Sequence, residues 1–196
     1  MTPAPVLRPA VRGDASDLAI LLDAASRRLV SYLWNGMAVS GQSVFEVGRA
    51  RILMNTQSPS YHANWQVAEL DGQIAGGLAG YVMEDPYDPA IADDYPAAFR
   101  PMFELEAVAA GTWYLQVVAL FAEYRGMGLG QILLDRADAM AVQAGRSRIT
   151  LITESFNVRA IAAYLRHGYR EWDRRTFIPF AGTDEEGDWL LMVKDL

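Results

Sequence analysis

The chain has no cysteine, which excludes disulfides and thiolate metal sites and makes a reducing compartment compatible. It has only two histidines, His62 and His167, so no multi-histidine metal centre can form and no metal is expected. No apolar run reaches the roughly 18 residues that a membrane span requires. The N-terminus, MTPAPVLRPAVRGD, lacks the apolar stretch of a signal peptide, so a cytoplasmic protein is expected. Basic charge is also short. The net charge is −7 and the sequence pI is near 4.8, which argues against nucleic acid as a partner.

What the chain does have is apolar residues, 52% of its 196, enough for a sizeable core. At this length one domain over residues 1–196 is expected. A short strand is expected at 6–8, followed by a helix capped by Asp14 or Ser16 and a second helix over 44–54, with irregular chain from 31 to 43. Residues 65–70 and 73–83 read as strands joined at Asp71-Gly72, the favoured two-residue turn. Residues 84–106 hold four of the nine prolines and seven acidic residues against one arginine. They read as a long acidic excursion between strands, reaching to about residue 111, of the kind that forms lids or substrate walls.

Residues 113–121 are apolar on both faces apart from Gln116, as in a central strand covered on both sides. A helix follows with apolar residues at Leu129, Leu133, Ala137, Met140 and Ala144 and a stop at Gly145. Then come a strand at 148–153, a helix at 157–167 and two strands at 169–177 and 188–194. The fold class is therefore α/β: a mixed layer fold of six to seven strands flanked by helices.

The stretch WYLQVVALFAEYRGMGLGQILL, from Trp113 to Leu134, is a strand, a glycine-rich turn and a helix start. Bare amides and the positive end of a helix dipole both favour a phosphate there. No lysine follows the glycines, so it is not a P-loop. Its Gly-x-Gly-x-Gly spacing departs from the dinucleotide fingerprint, although Glu154, at the end of the next strand, keeps an oxidoreductase as a distant alternative. Arg125-Gly126-Met127-Gly128-Leu129-Gly130 fits a third pattern, Arg/Gln-x-x-Gly-x-Gly/Ala, at every position. Asn157, Ala160 and Tyr164 follow on one helix stripe, with Ile161 and Leu165 beside it as expected anchors to the sheet.

Together these two segments resemble the GNAT superfamily of acyl-CoA-dependent N-acyltransferases. The resemblance implies a mixed, mostly antiparallel six- to seven-stranded sheet flanked by helices, whose central strands splay around the donor, acetyl-CoA. It implies that the backbones of Val118, Ala119 and Leu120 bind pantetheine. The amides of Arg125, Gly126, Met127, Gly128, Leu129, Gly130 and Gln131 would cradle the pyrophosphate, with Asn157 as a further contact. Tyr164 would protonate the departing thiolate. The strand 113–121 offers no carboxylate, so Glu106 is the expected base, with Glu104 and Gln116 as substrate contacts. The expected acceptor is a small-molecule amine, cationic or polyamine-like given the acidic excursion, with no nucleic acid or membrane as partner. The aromatic residues Tyr32, Trp34, Tyr61, Trp65, Tyr87, Tyr95, Phe99 and Phe103 would fill the core, line the acceptor pocket or make a homodimer contact. A non-catalytic acyl-CoA sensor is the other alternative.

Overall fold

The computed structural model describes residues 4–196. The strands are β1 (Val6–Pro9), β2 (Trp65–Leu70), β3 (Gln73–Val82), β4 (Trp113–Leu120), β5 (Arg148–Glu154), β6 (Arg170–Thr176) and β7 (Asp188–Asp195). The helices are α1 (Ala15–Ala25), α2 (Leu29–Met37), α3 (Val44–Met54), α4 (Arg100–Val108), α5 (Leu129–Gln143) and α6 (Val158–Arg166). The seven strands run in the order β1-β2-β3-β4-β5-β7-β6; β1 with β2, β2 with β3, β5 with β7 and β6 with β7 pair antiparallel, and β4 with β5 pairs parallel. Two compact units divide the chain: residues 1–80 with 116–137, and residues 81–115 with 138–196.

In the first unit, Asp71 and Gly72 both take positive φ, 50° and 75°, as the turn between β2 and β3 requires. Helix α1 buries Leu18, Leu21 and Leu22 with Trp34, Trp65 and Val117. Asp14 precedes α1, but its carboxylate does not cap it. That carboxylate accepts from Val11 N at 2.8 Å and from Arg8 Nη1 at 2.7 Å. Ser43 and Glu46 close a reciprocal capping box that starts α3 where expected. The segment expected to be irregular, 31–43, begins instead inside α2. A Cβ at Gly48 on α3 would collide with the Trp34 ring, so glycine lets α2 and α3 approach closely. Along α5 the buried row is Leu129, Leu133, Ala137 and Ala141; Ala144 is exposed.

In the second unit, β5 pairs with β7 along its whole length, from Arg148↔Asp195 to Glu154↔Trp189. The parallel ladder of β4 with β5 consists of Trp113↔Ile149 and Tyr114↔Thr150. It is locked by a buried hydrogen bond of 2.7 Å between Thr112 Oγ1 and Thr150 Oγ1. The acidic excursion is not all loop. It contains α4, whose Leu105 is fully buried. Pro101 falls in the first turn of α4, where the missing N–H would have had no partner anyway. Leu165 on α6 is 54% exposed, so it does not anchor that helix to the sheet as its spacing suggested.

Candidate active site

After β4 the chain makes a single 3-10 turn, Ala122–Tyr124, and enters the glycine turn. Gly126 and Gly128 have φ of +80° and +83°, a conformation open to glycine and strained for other residues. The next two residues, Leu129 and Gly130, start α5. Among the described residues, none of the amides at 126–130 has a hydrogen-bond partner. Five consecutive bare N–H groups at the start of a 15-residue helix suit the oxygens of a pyrophosphate. Arg125 N is used by Ala122 O at 3.3 Å and Gln131 N by Gly128 O at 3.1 Å, so the expected cradle narrows to its five central residues.

The Leu120 carbonyl accepts from Arg125 Nε at 3.4 Å. A Cβ at Gly76 on β3 would collide with the Ala119 carbonyl and the Leu120 side chain, so the β3 glycine is what lets this part of β4 lie where it does. Val118, Ala119 and Leu120 are each partly exposed. Gln116 Oε1 accepts from Ser60 Oγ at 3.3 Å.

In the second unit the sequence candidates separate by role. Glu106 is 8% exposed and lies on α4 rather than in a loop. Tyr87, in the excursion, donates to Glu106 Oε2 at 2.9 Å. No Lys, Arg or His pairs with Glu106 among the described residues. Burial raises its carboxyl to about 7, against the Tyr87 hydrogen bond, which lowers it. Burial and the charge of Glu106 together raise the phenols of Tyr81, Tyr87 and Tyr114, which stay protonated. A carboxyl titrating near neutrality is suited to proton transfer.

Glu104, two residues earlier, is exposed, and its Oε2 accepts from Arg175 Nε at 3.2 Å. That geometry serves an ion pair between α4 and β6. Tyr164 lies on α6 with its ring 5.8 Å from that of Tyr169. Burial, and then the negative charge of Glu154, raise its phenol and keep it protonated. Its hydroxyl has no hydrogen-bond partner among the described residues, so it is available as a donor. Asn157 precedes α6, its Nδ2 donating to Thr153 Oγ1 at 3.4 Å. His167 ends α6, and its Nε2 is 2.8 Å from Asp138 Oδ2, which also accepts from Lys194 Nζ. Tyr87 is expected from sequence only as one of eight aromatics, and its bond to Glu106 is what sequence reasoning missed. Its one sequence signal is its place among the acids of the excursion.

A strand leading to a bare-amide glycine turn, in a mixed seven-stranded sheet, defines an acetyltransferase-type fold. The family model of the acetyltransferase (GNAT) family matches residues 37–169. The chain belongs to the GNAT acetyltransferase family. Solved structures agree on the fold. An N-acetyltransferase from Staphylococcus aureus Mu50 superposes with a TM-score of 0.61 at 17% identity, covering 96% of this chain and 99% of that one. Arabidopsis thaliana Naa50, in complex with the bisubstrate analogue CoA-Ac-MVNAL, gives 0.59 at 16% identity, covering 99% and 100%. The PaiA N-acetyltransferase from Thermoplasma acidophilum, in complex with coenzyme A, gives 0.59 at 13% identity, covering 99% and 100%. No curated protein matches the chain in sequence.

Proposed function

We propose that this chain is an acetyl-CoA-dependent N-acetyltransferase that acetylates a primary amine of a small molecule by direct attack. The bare amides at 126–130 hold the donor's pyrophosphate. Val118, Ala119 and Leu120 offer backbone to the pantetheine arm, and Asn157 offers its side-chain amide. The donor supplies an activated thioester carbonyl. Glu106 takes a proton from the acceptor ammonium, leaving a neutral amine. Its nitrogen bonds to the carbonyl carbon, the C–S bond breaks, the Tyr164 hydroxyl gives its proton to the departing sulfur, and the proton then shed by the new amide nitrogen restores the Tyr164 phenol.

The observation that carries this reading is Glu106: buried, without a cation, and titrating at about 7, where a base can both accept and release a proton at neutral pH. The test is thiol release from acetyl-CoA with a panel of amines and short peptides, for wild type, Glu106→Gln and Tyr164→Phe. Turnover with a small amine that falls in both variants supports the reading. Turnover only with peptides moves the acceptor to a protein N-terminus. Acetyl-CoA binding without turnover on any acceptor would instead indicate a sensor.

A further inference from the structure

The surroundings of Glu106 point to the chemical class of the acceptor; this rests on the acyl-transfer reading above. A carboxylate buried without a cation is costly, and it is relieved by taking a proton or by binding a cation from outside. Of the two carboxylates on α4, Glu104 already has its cation in Arg175, which in turn donates to Asp173 Oδ1 at 2.9 Å. Glu106 has only the Tyr87 hydroxyl, on one of its two oxygens.

The groups around it fit an ammonium. Tyr81 and Tyr114 pack edge to face, with ring centroids 5.7 Å apart. Tyr114 is 3% exposed, and its hydroxyl has no hydrogen-bond partner among the described residues. A phenol oxygen that no protein group engages can accept from an ammonium. A primary ammonium carries three N–H donors, enough for the free Glu106 oxygen and the Tyr114 oxygen together. Aromatic rings add a favourable environment for the cation.

The next turn of the same helix is aromatic. Phe103 is three residues before Glu106, on the same face of α4. Its ring is 4.9 Å from that of Tyr95, which is 5.4 Å from Phe99. These rings suit a hydrocarbon arm and would leave a second ammonium without a partner.

We propose that Glu106, Tyr87 and Tyr114 bind the ammonium of the acceptor, and that this acceptor is a primary monoamine on an aryl or alkyl arm, not a polyamine. The remaining acids of the excursion, Glu84, Asp85, Asp88, Asp93 and Asp94, are exposed, and Asp88 is engaged in capping Ala90 N at 2.9 Å. Net acidity of the segment therefore gives no buried second site for a dication.

The test is calorimetric titration of 2-phenylethylamine and of spermidine into wild type, Glu106→Gln and Tyr114→Phe, with thiol release from acetyl-CoA measured beside it. Phenylethylamine should bind wild type about tenfold or more tightly than spermidine, lose about tenfold in Glu106→Gln and weaken severalfold in Tyr114→Phe. Thermal stabilisation by acetyl-CoA should be the same in all three proteins, which also shows that the variants fold. Tighter spermidine binding, equal phenylethylamine binding in Glu106→Gln, or no binding of either amine overturns the subsite. Glu106-dependent phenylethylamine binding with no thiol release supports the subsite and refutes acyl transfer. Thiol release that does not depend on Glu106 does the reverse.

Discussion

Replacing Glu106 by Gln should make the protein's stability less sensitive to alkaline pH, by an amount the structure allows to be worked out. Burial raises the Glu106 carboxyl from its ordinary 4.5 to about 7, and the Tyr87 hydrogen bond opposes part of that rise. The folded protein therefore holds this proton where the unfolded chain has released it. The contribution to stability is fully present below pH 4.5 and is lost as pH rises through 7. A rise of roughly 2.5 in pKa corresponds to roughly 3 kcal/mol over the whole range. Between about pH 5.5 and about pH 8.5 the wild type should lose roughly 2 kcal/mol relative to the Gln variant, which has no proton to release there. Gln keeps the shape and can still accept the Tyr87 hydroxyl, so packing changes little. Urea unfolding of both proteins at the two pH values measures the difference directly. Parallel stability curves, agreeing within about 0.5 kcal/mol at both pH values, would refute the assignment of an uncompensated buried carboxyl. So would a gap that opened on acidification instead, since that is the signature of a carboxylate held below its ordinary value.

Three further substitutions address the rest of the site. Tyr164→Phe should lower kcat by about 10²-fold or more while leaving unfolding free energy unchanged within about 0.5 kcal/mol, because the hydroxyl has no partner to lose. A large stability loss in urea would show that the phenol is structural. Gly128→Ala places a Cβ at φ +83° with no atom within 4 Å, so its cost is backbone strain alone. About 1–2 kcal/mol of stability should go, with weaker acetyl-CoA binding by calorimetry, and unchanged values in both assays would contradict the proposed turn. Gly76→Ala meets the Ala119 carbonyl, and overpacking of this kind should cost about 1–3 kcal/mol in thermal or urea unfolding. A variant as stable as wild type would mean that β3 and β4 lie further apart than described.

The parts of this protein that could be read from sequence are those where one local requirement selects the residue. Asp71-Gly72 and the Gly126/Gly128 turn need positive φ, and glycine or Asp-Gly marks such positions openly. Helix α3 begins after Ser43 because its own side chain and that of Glu46 close the cap within four residues. Helix α4 was hidden by the same kind of local evidence: Pro96 and Pro101 suggest a broken chain, yet Pro101 sits in the first turn, where it favours a helix start. Leu165 shows the converse failure, since apolar spacing marked it as an anchor and the fold leaves it exposed. Glu106 combines both limits. Its residue type marked it as a base candidate, but its chemistry comes from burial and the Tyr87 hydrogen bond, and its charge acts in turn on Tyr81 and Tyr114; the three tyrosines belong to β3, an irregular segment and β4. No periodicity joins those positions, because each is set by a different element. The 19 residues between Tyr87 and Glu106 become a 2.9 Å hydrogen bond only once α4 exists to carry the acid back to the tyrosine. Had that helix been absent, the same carboxylate would be solvated, would titrate near its ordinary value, and would be a poor base at neutral pH.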